Sequence, residues 1–222
     1  MNRPALLPKL LQELVAIESP SGQEGAAADY AAHLLASRGI EVERLGDSVL
    51  ARLSCGRARG GGPGLLLNSH LDTVPVGQGW TRRAHGADWA DGRLYGRGAN
   101  DAKASAAAML WTLLRQAESK TSAGARGTLY LALTACEETT NAGMGAVLAR
   151  LAEEGAGLAS AVHGAVTGEP TGLEVVRAQS GLAVLRAVWS GRSCHAAHVA
   201  RVPHANALLA AARELAAIDS HL

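Results

Sequence analysis

Three apolar runs in this 222-residue chain each end in a side chain able to bind a metal ion. Leu65-Leu66-Leu67-Asn68-Ser69 leads to His70, Thr128 to Ala135 leads to Cys136-Glu137-Glu138, and Ala161 to Gly168 leads to Glu169. If the runs are buried strands of one α/β sheet, their carboxyl ends meet along one edge, where open α/β sheets place their ligands. A fourth candidate, Asp101, follows the segment Gly96-Arg97-Gly98-Ala99-Asn100 and stands where it can cap the next helix. An imidazole and several carboxylates at one edge suit metal-assisted hydrolysis, in which a cation activates water and polarises a carbonyl.

His70 and Asp72 are two residues apart and share one side of an extended segment. That spacing suits His70 as a ligand and Asp72 as the acceptor for the other ring N–H, which fixes the tautomer. Glu137 and Glu138 are adjacent, so they diverge: one can ligate while its neighbour takes a proton from water. Without a metal, the pair reads as a solvated strand end or as acids ahead of a helix. Glu169 before Pro170 is a turn-forming carboxylate, and a ligand if the edge converges.

Other chemistries fit less well. The Gly96–Asp101 segment lacks the third glycine of a dinucleotide fingerprint and the Gly-Lys-Ser/Thr of a phosphate loop. There is no Gly-x-Ser-x-Gly elbow, and Cys194 and His195, adjacent on an expected strand, would face opposite ways. Cys136 reads as a small buried residue. His33, His85, His163, His198, His204 and His221 have no patterned partner and read as surface or satisfied groups, with His195 left open.

The elements that must position these residues are legible as periodicity. Leu7, Leu10, Leu11, Leu14 and Val15 recur at helical spacing, Ser19-Pro20-Ser21-Gly22 interrupts, and Tyr30, Ala31, Leu34 and Leu35 resume a second helix ending near Gly39. Short strands are expected over 40–45 and 49–53, and Gly60 to Gly64 forms a loop before the first buried run. Residues 71–100 lack clear periodicity and read as a long ordered loop. A helix from Ala102 to about Ala117 places Met109, Leu110, Leu113 and Leu114 on one side, and a polar loop over 118–127 follows. After Gly172 the texture changes: the stretch from Leu182 to Trp189 alternates as a strand would, and 205–218 reads as a helix. The expected organisation is a catalytic unit over 1–180 and the beginning of a second over 181–222.

Composition narrows the partners. With 21 basic and 20 acidic residues the formal charge is +1, and no block of like charge suggests a nucleic-acid or anionic-membrane surface. A small-molecule substrate is expected. Three cysteines without disulfide or CxxC spacing, and a start without signal-peptide character, suit a reducing cytoplasm. No run approaches the ~18 apolar residues of a membrane span.

Taken in order, Ser69-His70-Leu71-Asp72-Thr73-Val74-Pro75, Gly96-Arg97-Gly98-Ala99-Asn100-Asp101-Ala102-Lys103, Glu137-Glu138-Thr139 and Gly168-Glu169-Pro170-Thr171 resemble the dinuclear zinc aminoacylase and carboxypeptidase family. That family includes acetylornithine deacetylase and succinyl-diaminopimelate desuccinylase. The resemblance implies an α/β fold: a three-layer α/β/α catalytic domain interrupted by an α+β lid. It implies two Zn2+ ions, with Co2+ or Mn2+ as possible occupants. His70 and Glu169 would hold one ion, Asp101 would bridge, and Glu138 would hold the other. Glu137 would be the general base, Asp72 would orient His70, and His195, in a lid segment, would reach across a homodimer to stabilise the oxyanion. Acetylornithine is the first substrate expected, on the motifs around Glu137 and Glu169; desuccinylase, carboxypeptidase and dipeptidase activities are the alternatives.

Departures from the pattern carry expectations of their own. Family members continue well beyond this length and end with a further ligand histidine, a role that His198, His204 and His221 do not fill. The chain therefore reads as an amino-terminal portion, with weak or no activity alone, because a site lacking one ligand holds its second ion poorly. An inactive remnant, one half of a split protein, and a metal-free α/β binding module are the readings from other classes.

Overall fold

The computed structural model describes residues 6–55, 62–119, 127–153, 162–181, 184, 186–198, 200–201 and 205–219. Gly60, Gly61, Ala161, Leu182, His204, His221 and most of the expected loop over 118–127 lie outside the described residues. The chain divides into two compact units, Met1–Val175 and Val176–Leu222.

In the first unit, α1 (Leu6–Ala16) and α2 (Gly25–Ala36) bury the apolar faces expected of them, Leu10, Leu14 and Val15 on one and Ala27, Ala28, Ala31 and Leu35 on the other. Gly39, at φ +71°, turns the chain out of α2 in the left-handed region that a glycine adopts without a Cβ penalty. Strands β1 (Glu41–Leu45) and β2 (Ser48–Cys55) follow as a hairpin. The first apolar run is β3 (Gly64–His70), the second is β6 (Gly127–Thr134), and the third contains β7 (Gly164–Thr167). Between β3 and β6 lie the short strands β4 (Asp88–Ala90) and β5 (Arg93–Tyr95) and the helix α3 (Lys103–Glu118). Helix α4 (Ala142–Ala152) connects β6 towards β7.

The main sheet has the order β1-β2-β6-β3-β7. β6, β3 and β7 run parallel, with His70 opposite Thr134 and Asn68 opposite Thr167, so their carboxyl ends share one edge as expected. Alternating side chains feed two cores. Val49, Ala51, Leu67, Leu131 and Leu133 pack with α1, α2 and α3, whereas Leu50, Leu66, Tyr130 and Ala132 pack with Val147 and Leu151 of α4. Helices on both faces make the three-layer α/β/α architecture.

Several expectations fail, each for a physical reason. β7 is not buried: all four of its residues are exposed, because it is an edge strand with β3 as its one neighbour among the described residues. The stretch over 71–100 is not all loop, since β4 and β5 form a hairpin about Asp91-Gly92, both at positive φ (51° and 72°). Asp-Gly is a two-residue hairpin signal in the sequence, and the lack of periodicity in three-residue strands hid it. Asp101 does not cap α3; Ala102 is the N-cap residue, with no side-chain capping bond, and the Asp101 carboxylate faces His70 instead.

In the second unit, the described part of 182–189 forms no strand. Val184 and Val188 are 82% and 73% exposed, so alternation has no second layer to bury against and no ladder to join. Cys194 and His195 are likewise not on a strand but precede a single 3-10 turn, Ala196–His198. Helix α5 (Ala207–Asp219) forms as expected, and the Asn206 side chain accepts the Leu209 N–H at 3.0 Å at its start. Among the described residues no helix is long and apolar enough to cross a membrane.

One buried cation locks the helical layer. Lys103, wholly buried at the start of α3, donates from Nζ to the carbonyls of Leu14 (3.0 Å) and Ile17 (2.7 Å) at the end of α1, the first of which also accepts the Ile17 N–H (3.2 Å). Burial pushes its ammonium down to about 8, with the Glu18 carboxylate opposing the shift. Lys103→Met is expected to destabilise the protein by about 1–3 kcal/mol, since the Leu14 and Ile17 carbonyls lose a charged donor while a buried charge is relieved. The unfolded lysine binds its proton up to about pH 10.5, the folded one only to about 8, so wild type gains stability relative to Lys103→Met across that window. Urea unfolding at pH 7.5 and 10 checks both.

Candidate metal centre

His70 closes β3 with its side chain 1% exposed. Its backbone is held because the next residue, Leu71, donates its N–H to Thr134 at the end of β6 (2.8 Å). The ring Nδ1 lies 2.9 Å from the Asp72 backbone carbonyl and 3.4 Å from the Asp72 carboxylate. The tautomer is thus fixed chiefly by main chain, where the sequence suggested the carboxylate, and Nε2 is left facing the acidic groups. Asp101 lies 3.2 Å from Nε2, and Glu137 and Glu169 each lie 3.9 Å from it. Ligand atoms of His70, Asp101 and Glu138 all fall within 4.8 Å of one another. That trio contains Glu138, and Glu169, which the resemblance pairs with His70, lies 3.9 Å from the same ring nitrogen.

Each carboxylate arrives by a different device. Two glycines allow close approach. Gly98, at φ +80°, would set a Cβ 2.8 Å from Thr73 Cγ2 and 3.1 Å from the Lys103 chain, so the loop before Asp101 needs its absence. Gly168 would set one 2.6 Å from Ser105 Cβ, so Glu169 can leave β7 tight against α3. The Ser69 hydroxyl lies 3.0 Å from the Gly168 carbonyl and 3.3 Å from that of Ala102, linking the segments that carry Glu169 and Asp101. The Asp101–Ala102 peptide bond is cis. Glu137 and Glu138 sit on a turn in which the Cys136 carbonyl accepts the N–H groups of Thr139, Thr140 and Asn141, with Cys136 itself at φ +58°.

Asp72 does not face the other carboxylates as a ligand would. It is wholly buried and accepts the N–H groups of Glu137 and Glu138, both at 3.0 Å, and the Ser21 hydroxyl at 2.7 Å. Burial raises its pKa, but hydrogen bonds from His70, Ser21 and those two amides outweigh burial and hold it at about 2. For His70 burial favours the neutral ring, and the Asp72 hydrogen bond with the charges of Glu169, Asp72 and Glu137 reverses this, raising it to about 9. Glu138 and Glu169 are both pushed up, first by burial and then by neighbouring carboxylates, offset in part by His70. Four acidic groups surrounding one imidazole form a concentration of negative charge that a cation would neutralise. The donors are nitrogen and oxygen without thiolate, which suits zinc, cobalt or manganese.

The remaining candidates divide. Burial, and then the Glu24 carboxylate, push the Cys136 thiol above its usual range, which agrees with a non-nucleophilic role. His163 is satisfied, its Nδ1 accepting the Gly64 N–H at 3.1 Å. His85 is not: neither ring nitrogen has a hydrogen-bond partner, and Glu18 is 3.8 Å away. In the second unit, His195 Nδ1 accepts the Ala197 N–H at 3.2 Å, which in the neutral ring puts the proton on Nε2. Sequence reasoning missed Ser21 and Glu24, because Ser19-Pro20-Ser21-Gly22 reads locally as a helix breaker. Yet Pro20 bridges to Thr73, and Ser19 Oγ donates to the Leu71 carbonyl at 2.7 Å.

Comparison with known proteins shows the family to which the chain belongs. The model of peptidase family M20/M25/M40 matches residues 66–220. Acetylornithine deacetylase of Myxococcus xanthus is 35% identical over 196 residues, 85% of this chain and 48% of that protein. Succinyl-diaminopimelate desuccinylase of Wolinella succinogenes is 37% identical over 131 residues, 59% of this chain and 34% of that protein. The chain thus spans between a third and a half of the length of these curated relatives. Among solved structures, human carnosine dipeptidase 1 superposes with a TM-score of 0.54 at 23% identity, over 74% of this chain and 41% of that one, a likeness of fold. With the family model covering well over half the sequence, and its strand ends carrying the acidic residues gathered about His70, the chain belongs to peptidase family M20/M25/M40.

Proposed function

We propose that this chain carries the metal-binding portion of an amidohydrolase that removes the acyl group from an N-acyl amino acid, with acetylornithine as substrate. The observation that supports the reading best is the gathering of His70, Asp101, Glu137, Glu138 and Glu169 about one point at the carboxyl ends of three parallel strands. His70, Asp101, Glu138 and Glu169 would hold two Zn2+ ions, with Asp101 between them. When bound, the ions supply Lewis acidity towards the scissile carbonyl and a lowered pKa for water. Glu137 takes the proton from the attacking water and returns it to the leaving amine. Asp72 fixes the direction of both His70 and the Glu137-Glu138 backbone. In a homodimer His195 would reach across to the partner's site and donate from Nε2 to the developing oxyanion, a role its hydrogen bond with Ala197 suits. A cytoplasmic homodimer belongs to the same reading.

A second substrate, succinyl-diaminopimelate, is supported by the 37% identity to a desuccinylase. Turnover of acetylornithine, succinyl-diaminopimelate and a dipeptide by the Zn2+-loaded protein separates the readings, with acetylornithine expected to be fastest. In a protein of its relatives' full length, Glu137→Gln is expected to lower turnover by about 10²–10⁴-fold, and in this chain to leave Zn2+ uptake in place. Zn2+ at 100 times its Kd is expected to raise unfolding stability by about 2.7 kcal/mol, reversibly with a chelator. Unchanged uptake in His70→Ala and Asp101→Asn by calorimetric titration would remove the metal centre.

Asp72 gives a pH signature in the metal-free protein. Its folded pKa, about 2, lies below the ordinary 3.8, so its stabilisation is complete above pH 3.8 and is lost as pH falls towards 2. Asp72→Asn is expected to flatten that limb of the stability curve by about 2 kcal/mol, measured by urea unfolding between pH 5 and 2.

A further inference from the structure

The turn that aims Glu137 and Glu138 is held from two sides, and one of them has no place in the chemistry described so far. On one side, the Asp72 carboxylate binds the amides of Glu137 and Glu138. On the other lies Glu24, wholly buried just before α2. Its Oε1 accepts the N–H of Cys136 at 2.9 Å and the N–H of Gly22 at 2.9 Å, and its Oε2 lacks a geometrically formed hydrogen bond among the described residues. A buried carboxylate with one oxygen unused is costly, and its position is unusual for a group with no structural duty. Its reach spans 112 residues of sequence, from the loop after α1 to the corner after β6.

That corner is where direction is decided. Cys136 occupies the left-handed region at φ +58°, which is unfavourable for a non-glycine residue and persists only when its surroundings over-determine it. Its N–H goes to Glu24, its carbonyl takes three N–H groups, and the next two residues are the carboxylates of the site. The same loop sends Ser21 Oγ to Asp72. Residues 21–24 therefore reach both halves of the apparatus, Ser21 through the β3 end and Glu24 through the β6 turn.

We propose that Glu24 is a positioning residue of the metal centre: by accepting the Cys136 amide it fixes the left-handed corner that brings Glu138 within reach of His70 and Asp101. This rests on the metal-binding reading above. The essential property is an acceptor at the end of a side chain of glutamate length. Outer groups that orient ligands typically carry 10–100-fold in metal affinity, and that is the size of effect expected here.

The test is titration of the metal-free chain with Co2+ alone, read by calorimetry and by the visible absorption of the bound ion, with circular dichroism and melting temperature recorded beside it. Glu24→Gln keeps the oxygen acceptor and is expected to bind Co2+ within about 3-fold of wild type with the same spectrum. Glu24→Met fills the space without an acceptor and is expected to lose 10-fold or more, with an altered spectrum. Glu24→Asp retains charge and fold but is one methylene short of Cys136; it covers the case in which the methionine variant does not fold, and the same loss is expected of it. Wild-type affinity and spectrum in Glu24→Asp or in folded Glu24→Met would overturn the proposal, as would a Glu24→Gln protein as impaired as they are. If wild type itself takes up no Co2+, the metal centre fails instead, which the wild-type titration reports separately.

Discussion

The Asp72 carboxylate joins the ends of two strands that would otherwise be related only by a backbone ladder. One oxygen accepts the Glu137 amide, the other the Glu138 amide and the Ser21 hydroxyl, while the backbone carbonyl of the same residue orients His70. A single buried anion thus sets the imidazole on β3 and the two acidic residues after β6 in one frame. Its charge is tolerated in the interior because the His70 ring, the Ser21 hydroxyl and two backbone amides converge on it, the amides being ones that turning chain would otherwise leave unpaired. Charge-assisted bonds of this kind are shorter and stronger than neutral ones, which suits them to fix direction.

The sheet supplies the coarse placement on which that fine control acts. Parallel pairing of β6, β3 and β7 brings His70, Glu137-Glu138 and Glu169 to one edge before any side chain interacts. Asp101 comes from outside the sheet, on the loop ahead of α3, and is tied in by Gly98, Ser69 and the packing of α3 on β3. Backbone topology therefore decides which residues meet, and a few hydrogen bonds decide how.

Much of this was legible because the information is periodic or terminal. The runs 65–69 and 128–135 announce strands by continuous apolarity, and His70 and Glu137 stand where such runs stop, so both fold and edge follow from pattern. The third run misled in burial: Gly164-Ala165-Val166-Thr167 is apolar in letters, but an edge position exposes it, and edge or centre is a property of neighbours. Asp101 is a candidate ligand from its place at the end of the Gly96–Asn100 segment, and only its expected capping role fails, since capping and ligation ask for the same residue type at the same place. Ser21 and Glu24 were invisible because their partners lie 51 and 112 residues away. The alternation over 182–189 shows the converse failure, a strand pattern with no ladder beside it.

Local rules are broken mostly within a few residues of the site. Cys136 and Asn141 take left-handed backbone, Asp72 and Lys103 are buried charges, and Asp101, Glu137, Glu138 and Glu169 concentrate like charge about His70. Natural sequences depart from local preference at functional positions and compensate elsewhere. Here the compensations are largely main chain: amides for Asp72 and Glu24, carbonyls for Lys103, and a carbonyl at Cys136 for three successive amides. Main-chain partners have no rotamers to lose, so such bonds order the site at small entropic cost. They also hold only while α1, β3 and β6 are in place, because those elements carry the partner groups. Loosening the helical layer at Lys103 would therefore disturb the residues around Asp101, and disturbing Asp72 would release the corner after β6, which couples the integrity of the core to the geometry of the metal centre.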